Sequence, residues 1–219
     1  MKKAIHIVLE GHEGTGKDTQ VLRLINYLKA QGKKVLDTRE PGTPHYPLTM
    51  TMRKYMLDAE YNVPDEAREL ISQTIRSIHM TRVVEPALYE YDYIIQNRGI
   101  LSAITYGEGC GHNIDDLIFL CKFALGKYNQ GKLHNVYDRV IILLGDPEVC
   151  LRRAQLAKQE FQAGDAMELK GLTLQKRVKE NMMQYGKLLG SVPETVSFIN
   201  IDNLDEDSVE KSIREVLKI

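Results

Sequence analysis

The amino-acid sequence predicts an α/β fold in which a mostly parallel sheet of five strands is covered by helices on both faces. Short apolar runs rich in Ile and Val recur along the chain, as AIHIVLE, KVLDT, YDYIIQ, RVIILLG and VSFINI. Longer segments with helical spacing separate these runs, and this alternation favours parallel strands joined by crossover helices. The longest run, VIILL, suits a strand that is buried on both faces.

Size and charge set limits on the architecture and on the partners. The chain has 219 residues, 43% of them hydrophobic, which predicts one domain over residues 1–219. The 29 Lys and Arg residues nearly balance the 30 Asp and Glu residues. No whole-protein field would therefore hold nucleic acid or an anionic membrane, and an anionic ligand must meet a local cationic site.

The cysteines and the first residues bear on location. Cys110, Cys121 and Cys150 are odd in number and contain no CxxC pair, which predicts reduced thiols and a cytoplasmic protein. The opening stretch MKKAIHIVLE is too short for a signal peptide or a membrane span. We expect neither a membrane nor a nucleic acid as partner.

The first helix is the clearest of the predicted helices. Val21, Leu24, Ile25 and Leu28 fall on one face, and Gly32 follows as a stop signal. Three segments interrupt the regular pattern and are candidates for functional loops: EPGTPHYP at 40–47, GEGCGHN at 107–113, and a polar stretch at 157–171. The first two are expected beyond the carboxyl ends of strands, where ligands of such sheets collect.

The stretch GHEGTGKDTQ, residues 11–20, joins the first strand to that helix and contains a G-x-x-x-x-G-K phosphate-loop motif in the required context. Glycines let backbone N–H groups turn onto phosphate oxygens, the helix start adds partial positive charge, and Lys17 can reach the β and γ phosphates. The sequence therefore predicts an ATP or GTP site formed by Gly11, His12, Glu13, Gly14, Thr15, Gly16, Lys17, Asp18 and Thr19.

Asp18 stands where such loops usually place a hydroxyl for Mg²⁺. A carboxylate beside a triphosphate is repulsive unless a divalent ion lies between them, and Asp18 and Thr19 are then the candidate metal ligands. Alternatively, Asp18 points away and Thr19 orients the site, or Asp18 is simply an acidic residue of the first helical turn.

Three further motifs, TREPGTP at 38–44, NRGILSAITYG at 97–107 and DPEV at 146–149, complete a known pattern. With them the chain resembles the thymidylate kinase family of nucleoside monophosphate kinases over essentially its whole length. The resemblance implies a P-loop kinase fold with a lid at about 152–171. It also implies a homodimer that transfers the γ phosphate of ATP, with Mg²⁺, to a deoxynucleoside 5′-monophosphate, with dTMP as the expected acceptor.

The same resemblance assigns roles at the acceptor. Arg39 and Arg98 match arginines that hold the acceptor phosphate, and Arg76 matches one near the base. Glu13 matches an acid near the 3′-hydroxyl, while Tyr106 matches a tyrosine that packs on the sugar and disfavours a 2′-hydroxyl. The expected substrate-binding set is Glu13, Arg39, Pro41, Ser72, Arg76, Arg98, Ser102, Ala103 and Tyr106.

The resemblance also implies where the catalytic cations come from. Gly14 looks like the bacterial-type loop, whose catalytic cation comes from the lid, and Arg153 matches a lid arginine at the phosphates. The lid is thin in basic residues, because only Lys158 and Lys170 lie between 157 and 171, so Arg152 and Arg153 would carry most of this role. The expected catalytic set is Lys17, Arg98 and Arg153.

The positions of these residues along the predicted strands and helices support some of the roles and leave alternatives for others. Arg98 ends the strand YDYIIQ, so its guanidinium lies at the carboxyl edge, where it can hold a phosphate or form a strand-end salt bridge. Ser72, Arg76 and His79 share one helix face by spacing. Arg76 is otherwise a surface arginine, and His79 is expected to be structural. Arg39 could alternatively form a loop salt bridge, and Tyr106 could be an ordinary packed tyrosine. Arg152 and Arg153 could be solvated helix residues.

Departures from the family pattern leave the base preference open. Ser72 and Gly99 replace aromatic residues, and Ala103 and Gly107 replace larger polar ones, which predicts a wider pocket that accepts a bulkier or different base, such as a 5-substituted dUMP. Alternatively, Tyr46, Met50 or Tyr61 refills the space. Asp18, together with Asn97 in place of the family's Asp, also leaves open a catalytically weak nucleotide-binding protein.

Overall fold

The computed structural model describes residues 3–157 and 160–219, so Lys158 of the expected lid lies outside the described residues. Five strands form at the five predicted apolar runs. Their bounds are β1 Ile5–Gly11, β2 Val35–Arg39, β3 Tyr93–Asn97, β4 Arg139–Leu144 and β5 Val196–Asn200.

The strands make one sheet in the order β2-β3-β1-β4-β5. Each neighbouring pair of strands is parallel. Ile7 of β1, for example, is paired with Ile95 of β3 on one side and with Arg139 of β4 on the other. The predicted sheet is confirmed. Because all five strands run the same way, the ends of β1, β2 and β3 at Gly11, Arg39 and Asn97 meet at one edge.

Nine α-helices lie between or after the strands in the described part of the chain. Their bounds are α1 Lys17–Ala30, α2 Pro47–Leu57, α3 Asp65–His79, α4 Glu85–Ala87, α5 Ile100–Gly109, α6 Ile114–Leu125, α7 Pro147–Leu156, α8 Gly171–Tyr185 and α9 Glu206–Leu217. A π-helical turn, Met80–Val84, links α3 to α4 without a break. Asn113, Asp146 and Asp205 cap α6, α7 and α9 by accepting backbone N–H groups with their side chains. No described helix has the length and hydropathy that a membrane span requires.

Side-chain alternation along the strands divides the apolar residues into two cores. Ile7 and Leu9 of β1 pack with Leu24 of α1 and Ile213 of α9 on one face. Val8, between them, packs into the other core with residues of α3, α5, α6 and α8. Strands buried on both faces explain why the runs are continuously apolar.

The two later loop predictions need correction or refinement. The segment 107–113 was expected to be a loop, but Gly107, Glu108 and Gly109 form the last turn of α5, and only 110–113 is a turn before α6. The pair of glycines is accepted within the helix because packing against α6 and α8 holds it there. The described residues between α7 and α8 include a short 3-10 turn, Glu168–Lys170, and an isolated antiparallel bridge from Asp165 to Asp58.

Candidate nucleotide site

A cleft of about 820 Å³ opens at the carboxyl edge of the sheet. The phosphate loop and the ends of β2 and β3 form its middle. One end lies between α3 and α5, and the other lies at the start of α9, where Gln20 Nε2 donates to the Glu206 carbonyl. The cleft therefore has the position that sheets of this type give to ligand sites.

The phosphate loop has the backbone that the motif predicts. Gly14 and Gly16 have φ values of 70° and 78°, which glycine adopts without strain. Lys17 is buried, and its Nζ donates to the His12 carbonyl at 2.6 Å and to Thr15 Oγ1 at 3.2 Å. Burial, and next the charge of Arg98, lowers the pKa of Lys17 to about 8. An arriving anionic phosphate would favour the charged form.

Gly14 has no room for a side chain. A Cβ atom built there would lie 1.7 Å from the Cys150 carbonyl oxygen of α7. The loop therefore cannot supply an arginine from this position, which agrees with the expectation that a catalytic cation comes from elsewhere.

Asp18 and Asn97 contact each other across the loop. Asn97 Nδ2 donates a hydrogen bond to Asp18 Oδ1, so the first turn of α1 is tied to the end of β3. Asp18 is exposed to the cleft, and Thr19 is half-buried beside it. Asp18 thus neither points away from the cleft nor stands isolated.

Arg98 is the centre of the charge network. Its φ of 61° is a left-handed conformation that is costly for a residue with a side chain. Its Nη1 donates to the Gly11 carbonyl at 3.0 Å and to Ser102 Oγ at 3.2 Å, and its Nη2 lies 2.5 Å from Glu13 Oε1. Burial alone would raise the pKa of Glu13, but the charges of Arg98 and Lys17 hold it at about 2.

Tyr106 belongs to the same network. Its hydroxyl donates to Glu13 Oε1 at 3.0 Å, and the Arg98 guanidinium lies 5.3 Å from the ring centroid. Glu13 and Tyr106 therefore form one wall of the cleft, at the place where the family resemblance expects the sugar.

Glu10, which the sequence reasoning missed, supports this wall through hydrogen bonds to α5. It is fully buried, and its carboxylate accepts from Ser102 Oγ at 2.5 Å and from the Leu101 backbone N–H at 3.1 Å. Burial raises its pKa. Ser102 was expected to bind substrate, yet its hydroxyl donates to Glu10 and accepts from Arg98, so it chiefly orients the arginine. The signal in the sequence that could have identified Glu10 is a carboxylate at the end of an apolar strand.

Arg39 lies beside a second arginine that the sequence reasoning missed. Arg53 is buried and donates from Nη1 to the Pro41 carbonyl at 3.0 Å. Glu160 of the lid forms a two-point ion pair with Arg53, at 2.9 Å and 2.7 Å, and lies 3.7 Å from Arg39 Nη2. A lone basic residue between Thr49, Met56 and Leu57 on the buried face of α2 was the available signal.

Arg76 lies at the cleft but is not a surface arginine. It is 2% exposed, and its guanidinium pairs with Glu40 at 2.8 Å and donates to Gln73 Oε1 and to the Gly99 carbonyl. His79 Nδ1 lies 2.9 Å from the other Glu40 oxygen. Burial opposes the charge of Glu40, but Arg76 and His79 lower its pKa to about 2. His79 is structural, as expected, and Glu40 anchors both residues.

The expectation of a wider base pocket is wrong at two positions. A Cβ at Gly99 would lie 2.2 Å from the Tyr137 hydroxyl, and a Cβ at Gly107 would lie 2.6 Å from Leu117 Cδ2. Buried Tyr137 and Leu117 therefore occupy the volume that the glycines release. Ser72 and Ala103 line the cleft as predicted. Of the residues suggested to refill the space, Tyr46 packs against the core and Tyr61 packs edge-on against Tyr55.

The lid contributes few cations to the described cleft. Arg153 lines it, whereas Arg152 is exposed and lies 3.9 Å from Glu148 on the same helix. Lys170 pairs with Asp65 of α3 at 2.9 Å, so it anchors the lid and does not face the phosphate loop.

The residues present fit a nucleotide with Mg²⁺. The loop offers a glycine backbone, a buried lysine whose acceptors are loop oxygens, and the oxygens of Asp18 and Thr19 at the cleft. No group of three or more His, Cys, Asp or Glu residues in the described ranges could hold a metal alone. An ion here would therefore share its coordination with phosphate oxygens, as Mg²⁺ commonly does.

Known proteins match this chain along nearly all of its length. The family model described as thymidylate kinase matches residues 9–200. A thymidylate kinase from Clostridium novyi is 31% identical over 221 residues, covering 100% of both chains, and one from Caldicellulosiruptor saccharolyticus is 29% identical, covering 99% and 98%. The crystal structure of the thymidylate kinase from Ehrlichia chaffeensis superposes with a TM-score of 0.72 at 20% identity and covers 99% of each chain.

Proposed function

Because the chain belongs to the thymidylate kinase family of ATP-using kinases, we propose that it transfers the γ phosphate of ATP to a deoxynucleoside 5′-monophosphate, with dTMP as the expected acceptor. The observation that supports this most directly is that two cationic centres share one cleft. Lys17 belongs to the phosphate loop, and Arg39, Arg53 and Arg98 lie at the strand ends and on α2. A donor and an acceptor phosphate can therefore meet between them.

The chain's own residues position and neutralise the reacting groups. Lys17 and the loop N–H groups hold the donor phosphates, and Arg98 and Arg39 hold the acceptor phosphate bidentately. Arg53 joins them once its lid partner moves. Asp18 and Thr19 would hold Mg²⁺, which supplies further charge neutralisation when bound. Arg153 stabilises negative charge on the transferring group.

The acceptor nucleoside extends from the phosphates into the groove between α3 and α5. Glu13 and Tyr106 lie at the entrance to this groove, which suits a 3′-hydroxyl and a packed sugar. Ser72 and Ala103 lie deeper, beside the base. The donor nucleoside takes the opposite end, near the start of α9. Residues 1–219 act as one kinase domain, whose lid at about 152–171 excludes water on closing.

A coupled ADP-release assay tests the function. Purified protein, ATP and Mg²⁺ are combined with dTMP, and Lys17→Ala serves as the blank because it removes the phosphate-loop cation. ADP release that depends on dTMP and disappears in the variant is expected. Arg153→Ala should lower kcat more than it raises the KM for dTMP. ATP binding without transfer to any monophosphate would reject the proposed reaction in favour of a nucleotide-binding protein.

We also propose that the chain forms a homodimer through α3 and α6. Phe119 and Phe123 of α6 are 64% and 76% exposed and stack on each other, and Leu70 of α3 is 57% exposed. The two helices pack side by side. Exposed apolar side chains on two neighbouring helices are typical of a self-associating surface.

A cytoplasmic location is part of the same proposal. The three cysteines are free thiols in the structure, and Cys121 and Cys150 are buried. Unpaired buried thiols are typical of proteins in a reducing compartment.

A further inference from the structure

A carboxylate forms part of the wall at the base end of the cleft. Glu69 of α3 is half-buried and lies one helical turn before Ser72 on the face that lines the cleft. Its Oε1 accepts a hydrogen bond from Gln73 Nε2 at 2.6 Å. Its Oε2 has no hydrogen-bond partner among the residues that the structure describes.

Gly107 of α5 makes room for this carboxylate. A Cβ at Gly107 would lie 3.3 Å from Glu69 Oε2 and would also collide with Leu117. The glycine and the glutamate therefore fit each other across the groove. Oε2 lies at the wall between α3 and α5, where a base would be enclosed.

The nearby cations do not neutralise Glu69. Arg68 is engaged by Asp65 and by the Met56 and Val63 carbonyls. Arg76 is engaged by Glu40, Gln73 and the Gly99 carbonyl. Burial raises the pKa of Glu69, and the hydrogen bond from Gln73 and the charges of Arg76 and His112 offset this only in part. Because Glu69 lines the cleft and its Oε2 accepts no hydrogen bond from the described residues, this oxygen is available to accept one from a ligand.

We propose that Glu69 contributes to base specificity by accepting a hydrogen bond from a donor group on the base, and so raises the activity toward pyrimidines that carry a hydroxymethyl or amino group relative to the activity toward dTMP. This inference rests on the proposed function of the cleft. Thymine presents a methyl group where 5-hydroxymethyluracil presents a hydroxyl, and a carbonyl where cytosine presents an amine. A site built to accept a hydrogen bond discriminates strongly against an analogue without the donor.

The test compares acceptors in the unmodified protein and in Glu69→Leu. The measured quantity is kcat/KM for 5-hydroxymethyl-dUMP or dCMP divided by kcat/KM for dTMP. Leu is apolar and of similar length, so this ratio should fall by about tenfold or more for at least one of the two donors. The acceptor whose ratio falls identifies whether the hydroxymethyl or the amino group is recognised.

Two further variants separate specificity from folding. Glu69→Gln keeps an acceptor oxygen without the charge and should give an intermediate ratio. Glu66→Gln removes the same charge from an exposed position of the same helix and should leave the ratio unchanged. Thermal melting checks that each variant is folded.

Calorimetric binding of the same monophosphates gives the ratio of dissociation constants when no phosphate is transferred. Absence of turnover with a Glu69-dependent binding ratio would overturn the proposed function and keep the assignment of Glu69. If Glu69→Leu changes dTMP and the donor-bearing acceptors equally, Glu69 does not distinguish one base from another, and the inference fails.

Discussion

The side-chain amide of Asn97 donates a hydrogen bond to the carboxylate of Asp18. At both positions the site departs from the family pattern, which has an Asp at position 97 and a hydroxyl at position 18. The carboxylate at this contact therefore lies on the first turn of α1 instead of at the end of β3. The contact indicates that the two departures form one exchange and not two losses.

Restoring the family residues at positions 18 and 97 should reveal this coupling. Asp18→Thr removes the carboxylate where α1 meets the end of β3, and Asn97→Asp places two carboxylates in contact, so each single variant should lose kcat/KM by about tenfold or more. The double variant should regain most of the loss. A coupling free energy of about 1–3 kcal/mol is expected from steady-state kinetics of the four proteins. Additive losses in the double variant would show that the two residues act independently.

Some of this architecture is readable from the sequence, and some is not. The five strands and the phosphate loop follow from local patterns, because apolar runs and glycine spacing are properties of short segments. Arg53 and Glu10 are not found by such patterns, since their roles arise from contacts with Glu160 and Ser102, which are about a hundred residues away in the chain. Tyr137 likewise fills the space at Gly99 from a distant segment. Side-chain volume lost in one motif can be restored from another element, and one motif alone does not show it.

Glu160 of the lid occupies the arginines that the acceptor phosphate would need. It pairs with Arg53 at two points and approaches Arg39. Because a carboxylate and a phosphate compete for the same guanidinium groups, Glu160→Gln should lower the KM for the monophosphate by about threefold to tenfold. Steady-state kinetics at saturating ATP provide the measurement.

The control for Glu160 removes a charge from the helix that leads into the lid. Glu148→Gln affects an exposed residue whose partner is Arg152, so the KM should not change. A lower kcat with an unchanged KM in Glu160→Gln would mean that the residue helps to close the lid and does not compete with the acceptor.

The exposed aromatic pair on α6 predicts the oligomeric state. Phe119→Asp together with Phe123→Asp should convert the dimer to a monomer, because two charges would be buried without partners at the interface. Sedimentation velocity measures the change. Leu22→Asp, which alters another solvent-exposed apolar residue, on α1, should leave the dimer intact. A monomeric unmodified protein, or a dimer that survives the double change, would contradict the assignment of this surface.

His6 links the stability of the sheet to pH. It is 1% exposed, and its Nε2 lies 2.9 Å from Gln96 Oε1. The Gln96 amide donates to the Arg98 carbonyl, so Oε1 faces His6, Nε2 carries the hydrogen, and Nδ1 has no partner. Burial lowers the pKa of His6 to about 3, although the bond to Gln96 partly opposes this shift. The imidazole is therefore neutral in the folded protein.

The direction of the pH effect follows from the lowered pKa. The unfolded chain binds a proton at His6 near pH 6.5, and the folded chain does so only near pH 3, so the stabilisation is complete above pH 6.5 and is lost as the pH falls toward 3. At pH 5 the loss of stability from this residue is about 2 kcal/mol.

His6→Gln keeps a donor for Gln96 and does not titrate, so the free energy of unfolding of this variant should fall by about 2 kcal/mol less than that of the unmodified protein between pH 7.5 and pH 5. Denaturant unfolding at both pH values measures this, with His134→Gln as the control for loss of an exposed imidazole. If His6→Gln loses as much stability as the unmodified protein over this interval, His6 does not carry the pH dependence.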